Sequence, residues 1–144
     1  MSTTVKAMLD NKGRAVVTVE PDRTLLEVAT ILNEKKIGAV VVSGVEDRIA
    51  GIFTERDLVN AIASGGAAVL DQPVRTKMTT AVRSCREDEN ADDLMAIMTA
   101  GRFRHVPVEE GGRLAGIISI GDVVKARMRE VELEAEQMKA YIAG

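Results

Sequence analysis

Two short segments place a hydroxyl three residues ahead of a carboxylate: Thr54-Glu55-Arg56-Asp57 and Ser119-Ile120-Gly121-Asp122. Each follows an apolar run and opens a helical one, so each falls where a strand gives way to a helix. Backbone N–H groups and the helix dipole at such a junction favour an anion. A carboxylate held there can accept hydrogen bonds from the two hydroxyls of a ribose. The hydroxyl of Thr54 or Ser119, with nearby N–H groups, can take a phosphate. That combination reads as a nucleotide site. The pattern also has a reading that needs no ligand, because a Ser or Thr N-cap with an acid at N3 is a capping box. Thr24 with Glu27 and Asn90 with Asp93 fit that plainer reading. Two features favour a ligand: both acids are Asp, where Glu or Gln reaches back best, and both sit at strand-to-helix junctions.

A second constellation is Arg102-Phe103-Arg104-His105-Val106-Pro107-Val108. The planar fork of an arginine suits phosphate. Taken alone, Arg104 reads as a solvated arginine at a strand start, and His105 as a hydrogen-bonded structural residue. Pro107 inside an apolar run predicts an edge position or an irregular ladder.

Other chemistry is poorly supplied. With one histidine and one cysteine, a His/Cys zinc site within the chain is excluded. No serine stands in a G-x-S-x-G elbow, and neither a P-loop nor a G-x-G-x-x-G fingerprint is present. Cys85 lies in a predicted strand and reads as a small buried hydrophobe. The chain is expected to be a binder and not an enzyme, with no metal required.

The elements that position these residues occur twice. Residues 48–54 read Arg-Ile-Ala-Gly-Ile-Phe-Thr and residues 113–119 read Arg-Leu-Ala-Gly-Ile-Ile-Ser. At an offset of 66, Leu25, Val28, Ala29 and Leu32 fall on Ala91, Leu94, Met95 and Met98. Both sets follow the apolar spacing of a helix. From Arg48 onward the offset is 65, so the second copy is one residue shorter among Glu109, Glu110, Gly111 and Gly112. A loop is where such a change is tolerated.

Val5 to Leu9 predicts a helical turn and Val16 to Val19 a strand. Thr24 opens a helix running to about Lys35, Gly38 to Val42 is a strand buried on both faces, and Ile49 to Phe53 is the next strand. Thr54 opens a helix ending near Gly65-Gly66. The order strand, helix, strand, strand, helix then repeats over Val82–Cys85, Ala91–Ala100, His105–Val108, Leu114–Ile118 and a helix from Ser119. Three strands and two helices cannot cover both faces of a sheet, so each half is expected to bury its face against the other. In the last helix Val124, Met128, Val131, Ala135, Met138 and Ile142 form a heptad stripe, which reads either as packing on its own domain or as docking on a partner.

The 144 residues suffice for one domain or two small ones, and the 46% hydrophobic content allows a substantial core. Aromatics are only 2%, so that core must be aliphatic. A net charge of −3 argues against general nucleic-acid binding. No apolar run approaches the roughly 20 residues of a membrane span. The N-terminus lacks the apolar core of a signal peptide, and a lone cysteine cannot close an internal disulfide. These features predict a cytoplasmic protein without membrane partners.

On Gly51-Ile52-Phe53-Thr54-Glu55-Arg56-Asp57, Arg104-His105-Val106-Pro107-Val108 and Gly116-Ile117-Ile118-Ser119-Ile120-Gly121-Asp122, the chain resembles a tandem pair of cystathionine-β-synthase (CBS) domains, a Bateman module, over roughly Val5 to Arg127. The resemblance implies an α/β (α+β) fold of two β-α-β-β-α repeats packed sheet to sheet with pseudo-two-fold symmetry. It implies two clefts for adenosyl ligands: AMP foremost, or ADP, ATP, NAD(H) or S-adenosylmethionine. Asp57 and Asp122 would hold ribose hydroxyls, and Thr54 and Ser119 ribose or phosphate. Ile37, Gly38 and Ala39, and His105, Val106 and Pro107, would line the base. Thr18 and Ser84 would line the far side of each cleft, and Arg56, Arg104 and His105 would meet phosphates. In the first repeat Val41 replaces Pro107, and Gly38-Ala39 replaces Arg104-His105, so the two clefts are not expected to be equivalent.

The expected segments are 1–65 for the first repeat with its N-terminal helical turn, 66–79 for a linker, 80–127 for the second repeat and 128–144 for a helical extension. The expected function is a regulatory adenine-nucleotide sensor of energy or redox state. It would act through dimer or interdomain rearrangement, as a homodimer that signals to an effector protein. A constitutive dimerisation scaffold without ligand is the alternative, and a small nucleotide-processing enzyme a more distant one.

Overall fold

A computed structural model describes residues 2–143, so Met1, where the first expected segment starts, and Gly144, where the last one stops, lie outside the described residues. The elements are α1 (Val5–Lys12), β1 (Thr18–Val19), α2 (Leu25–Lys35), β2 (Ala39–Ser43), β3 (Ile49–Thr54), α3 (Glu55–Gly65), α4 (Ala91–Gly101), β4 (His105–Glu110), β5 (Arg113–Ser119) and α5 (Ile120–Ala143). They form two compact units that do not follow the order of the chain. One comprises Ala15–Arg83 with Gly111–Leu114. The other comprises Met1–Arg14, Ser84–Glu110 and Ala115–Gly144.

The first of these is built on a three-stranded sheet of order β1-β2-β3. β2 runs parallel to β1 and antiparallel to β3. Ala39, Val40, Val41 and Val42 are all buried, which is what an unbroken apolar run predicts for a central strand. α2 starts at a capping box, with the Glu27 amide donating to Thr24 Oγ1 at 3.1 Å. Its Leu25, Val28 and Leu32 meet Val40, Val42 and Phe53 in one hydrophobic core. Residues 66–79 contribute to that core: Val69 and Val74 are buried, and Thr79 exchanges backbone hydrogen bonds of 2.9 and 3.0 Å with Ile52.

The other unit holds α1, α4, α5, β4 and the Ala115–Ser119 part of β5. Val5, Leu9, Cys85, Leu94, Met98, Val106, Val108, Ile118 and Val123 form its core. Burying these side chains is worth about 1.5–3 kcal/mol each for the larger ones. Between β4 and β5, Gly111 and Gly112 lie at φ of 60° and 79°. A two-residue hairpin turn demands that conformation, and glycine adopts it without steric cost. The longer connection after β2 places Glu46 and Asp47 at φ of 56° and 61° instead.

The strand expected over Val82–Cys85 is reduced to one pairing, Cys85 with Val108. The cause lies in another strand. In the first repeat the Val41 amide donates to the Val17 carbonyl at 3.2 Å. Its counterpart Pro107 has no N–H, so the corresponding ladder bond cannot form. The two bonds that remain run from Cys85 N to Pro107 O and from Glu109 N to Cys85 O, both 2.9 Å. The first repeat's strand is also shorter than expected, Thr18–Val19 in place of Val16–Val19.

Candidate functional site

In the first repeat the sheet register brings the chemistry together. Ala39 on β2 pairs with Thr54, the last residue of β3. The next amide, Glu55 N, donates to the Gly38 carbonyl at 3.0 Å. This fastens the chain entering β2 to the first turn of α3. Thr54 caps that helix: Asp57 N donates to Thr54 Oγ1 at 3.2 Å, and Thr54 N donates to Asp57 Oδ2 at 3.0 Å. Gly38, Ala39, Thr54 and Asp57 are thus neighbours, with half-buried Ile37 beside them and exposed Arg56 in the same first turn. Thr18 is exposed on β1 opposite Val41, two ladder positions from the Ala39–Thr54 pair, or about 7 Å along the sheet.

The second repeat reproduces the arrangement. Ile120 N donates to the Arg104 carbonyl at 2.8 Å, the counterpart of the Glu55–Gly38 bond. Asp122 Oδ2 accepts from Ser119 N at 2.8 Å and from Ser119 Oγ at 3.0 Å, and Asp122 N donates to Ser119 Oγ at 3.2 Å. Half-buried His105 begins β4, Val106 and Pro107 are buried behind it, and the Arg104 side chain is exposed. Ser84 Oγ donates to Glu109 Oε2 at 3.0 Å, so its hydroxyl is already committed to a carboxylate.

The idea that Asp reaches back poorly is overturned: both aspartates close their capping boxes. Yet among the described residues every hydrogen bond from the protein to either carboxylate falls on Oδ2. The Oδ1 atoms keep their acceptor capacity, and a carboxylate oxygen can take more than one donor. At equivalent places in the two repeats, the donor set and the spare acceptor suit a vicinal diol or a phosphate ester.

One residue of the second site has no signature in the sequence. Lys12, at the end of α1, places Nζ 2.7 Å from Asp122 Oδ2 and 2.9 Å from the Ile117 carbonyl. The partners lie 105 and 110 residues away, so no local spacing announces them. In the first repeat the equivalent carbonyl, that of Ile52, is taken by the backbone of Thr79. Burial pushes the Asp122 carboxyl up, but the Lys12 ammonium and the Ser119 donors outweigh it and hold the group below its ordinary range. The inequality of the two sites therefore has a cause beyond Arg104 and His105.

Among the described residues no three His, Cys, Asp or Glu side chains group to hold a metal ion. No described helix is long and apolar enough to cross a membrane.

Comparison with known proteins matches the CBS domain to residues 12–64 and again to residues 74–129. The mitochondrial CBS domain-containing protein CBSX3 of Arabidopsis thaliana is 31% identical, over 99% of this chain and 73% of its own length. A CBS-domain containing protein of Agrobacterium tumefaciens has a crystal structure with a TM-score of 0.84 and 62% identity, covering 87% of this chain and 99% of that one. A CBS domain pair solved in complex with 5-methylthioadenosine and S-adenosyl-L-methionine has a TM-score of 0.76 and 25% identity, covering 85% and 98%. The protein CBSX2, solved in complex with AMP, shares the fold at a TM-score of 0.73 and 24% identity, covering 88% and 97%.

Proposed function

Since the chain belongs to the CBS domain family, with two copies in tandem, we propose that it is a regulatory module that binds an adenosyl ligand and has no catalytic activity of its own. The observation that carries this reading is the doubled capping box. Asp57 and Asp122 each retain an oxygen unused by the protein, beside an Arg104 or Gly38 carbonyl fixed in the same way. Adenosyl ligands are common to the two complexes named above, and AMP is the ligand we favour. Asp57 and Asp122 would receive the ribose hydroxyls, Thr54 and Ser119 ribose or phosphate. Arg56, Arg104 and His105 would receive phosphate. Ile37, Gly38, Ala39, Val106 and Pro107 would line the base, and Thr18 and Ser84 the far side. Lys12 joins this set as the group a ligand must displace or share at Asp122.

Signalling would follow from binding one arrangement of the protein more tightly than another, since only differential affinity shifts an equilibrium. We place the module in the cytoplasm, as a homodimer acting on an effector protein and sensing energy or redox state. The scaffold reading retains one observation in its favour: both carboxylates already complete capping boxes.

Thermal unfolding with AMP, ADP, ATP, NAD, NADH and S-adenosylmethionine separates the two. A ligand that binds only the folded chain, at 100 times its Kd, adds about 2.7 kcal/mol of stability. Such a shift, removed by Asp57→Ala or Asp122→Ala, supports the sensor. Its absence with every ligand leaves the scaffold.

A further inference from the structure

Helix α5 runs to Ala143, fourteen residues past the last residue matched to the CBS domain. Its inward face ends early: Val123 and Ala126 are buried, and Glu130 receives the backbone and hydroxyl of Thr3 at 2.6 and 2.7 Å. From Val131 onward every described residue is exposed. A stretch of about a dozen residues this exposed draws little stability from packing and is marginal as an isolated helix. Glu132 and Glu136, one turn apart, add a like-charge pair that weakens it further.

The exposed part nonetheless keeps an ordered pattern. Val124, Met128, Val131, Ala135, Met138 and Ile142 occupy alternating d and a positions of a heptad. The five larger ones are between 46% and 78% exposed. The flanking e positions are then Lys125, Glu132 and Lys139, and the g positions Arg127, Glu134 and Tyr141. Those charges select both the partner and its direction. In a parallel pair of identical helices, each g position faces the e position five residues on in the other copy. Arg127 then meets Glu132, and Glu134 meets Lys139. In an antiparallel pair, e faces e and g faces g. With the six apolar positions in register, Lys125 would meet Lys139, Glu132 its own copy and Glu134 its own copy. Like charges facing each other are unfavourable, so one arrangement is supported at both flanks and the other opposed.

We infer that the α5 stripe is the docking surface for a second copy of this chain, joined as a parallel, in-register two-stranded coiled coil. Arg127 already contacts Glu130 at 2.7 Å and Asp92 at 3.5 Å through Nη1, and its remaining guanidinium donors are those available to Glu132 of the other copy. The inference deepens the homodimer in the reading above but does not depend on ligand binding.

The test uses the full chain. Met138→Cys places a thiol at a d position, and the native Cys85 is buried. Under mild oxidation it should form a disulfide-linked dimer that the unsubstituted chain does not. In an antiparallel pair Met138 would face Met128 of the other copy, about 15 Å from its own counterpart, and only a chain carrying both Met128→Cys and Met138→Cys would cross-link. Sedimentation should show a concentration-dependent dimer that Val131→Glu converts to monomer with its unfolding transition retained. Lys139→Glu should weaken the dimer at least several-fold, and adding Glu134→Lys should restore it. A monomer at all concentrations, cross-linking only in the double cysteine variant, tighter association of Lys139→Glu, or a dimer indifferent to these changes would each overturn the inference.

Discussion

Lys12 and Asp122 form an ion pair of 2.7 Å that joins the end of α1 to the first turn of α5. The side chains are 31% and 17% exposed, which puts the pair between surface and interior. Lys12→Met should therefore cost a modest amount, about 0.2–1 kcal/mol by the measure of accessible pairs. Denaturant unfolding would read that loss. Carboxyl NMR would show the Asp122 pKa rising toward its ordinary value. If Asp122 binds a ribose, the same variant should also change affinity at the second site and leave the Asp57 site alone.

The pH dependence follows with its sign. The Asp122 pKa is lowered in the folded state. Its contribution to stability is thus present above the unfolded-state value near 3.9 and lost as pH falls through the folded value. Acid unfolding of the native chain should be steeper in that range than acid unfolding of Asp122→Asn. Superimposable curves would refute the assignment.

The two caps should not be equivalent. Asp57→Ala removes the N3 carboxylate of a capping box and leaves the Thr54 cap in place, at about 0.3–1.5 kcal/mol. Asp122→Ala removes the corresponding carboxylate and also leaves Lys12 without its partner, so it should cost more. Unfolding free energies of the two variants, measured side by side without ligand, give the order directly.

Gly51 and Gly116 are equivalent in the repeat but face different obstacles. A Cβ on Gly51 would lie 2.8 Å from the Thr79 carbonyl oxygen and 2.6 Å from Met78 Sδ. One on Gly116 would meet only the end of the Leu9 side chain, at 2.7 Å. Backbone cannot swing aside as a leucine can. Gly51→Ala should therefore be the more damaging, within the roughly 1–3 kcal/mol typical of overpacking, and Gly116→Ala the milder. Thermal melts of both would decide.

Pro107→Val would restore the missing amide. The new N–H supplies the kind of donor that Val41 directs at Val17 in the first repeat and should lengthen the pairing around Cys85. Hydrogen exchange at residue 107 should then be as protected as at Val41. Fast exchange there would mean that something other than the proline shortens the strand.

The elements legible in the sequence were those with local causes. The capping residues Thr24, Thr54, Asn90 and Ser119 mark helix starts, and the run from Ala39 to Val42 marks a buried strand. What was misread has a distant cause. The pairing of residues 83–85 is limited by a proline more than twenty residues away. The Asp122 carboxylate meets a lysine that periodicity cannot connect to it. The aspartates and hydroxyls of the site could be named because they repeat. Lys12 does not repeat, and the first repeat uses backbone in its place.

The unit that joins Met1–Arg14 to Ser84–Glu110 and Ala115–Gly144 has a bearing on synthesis. The ribosome makes residues 5–12 before residues 15–83, yet Val5, Leu9 and Lys12 have partners between Cys85 and Val123. Residues 15–83 emerge with nearly all of their own contacts and can settle while translation continues. The earlier segment must wait, with its apolar face uncovered, until residues 85–123 have emerged. Residues 5–12 are thus made before 15–83 and find their place after them.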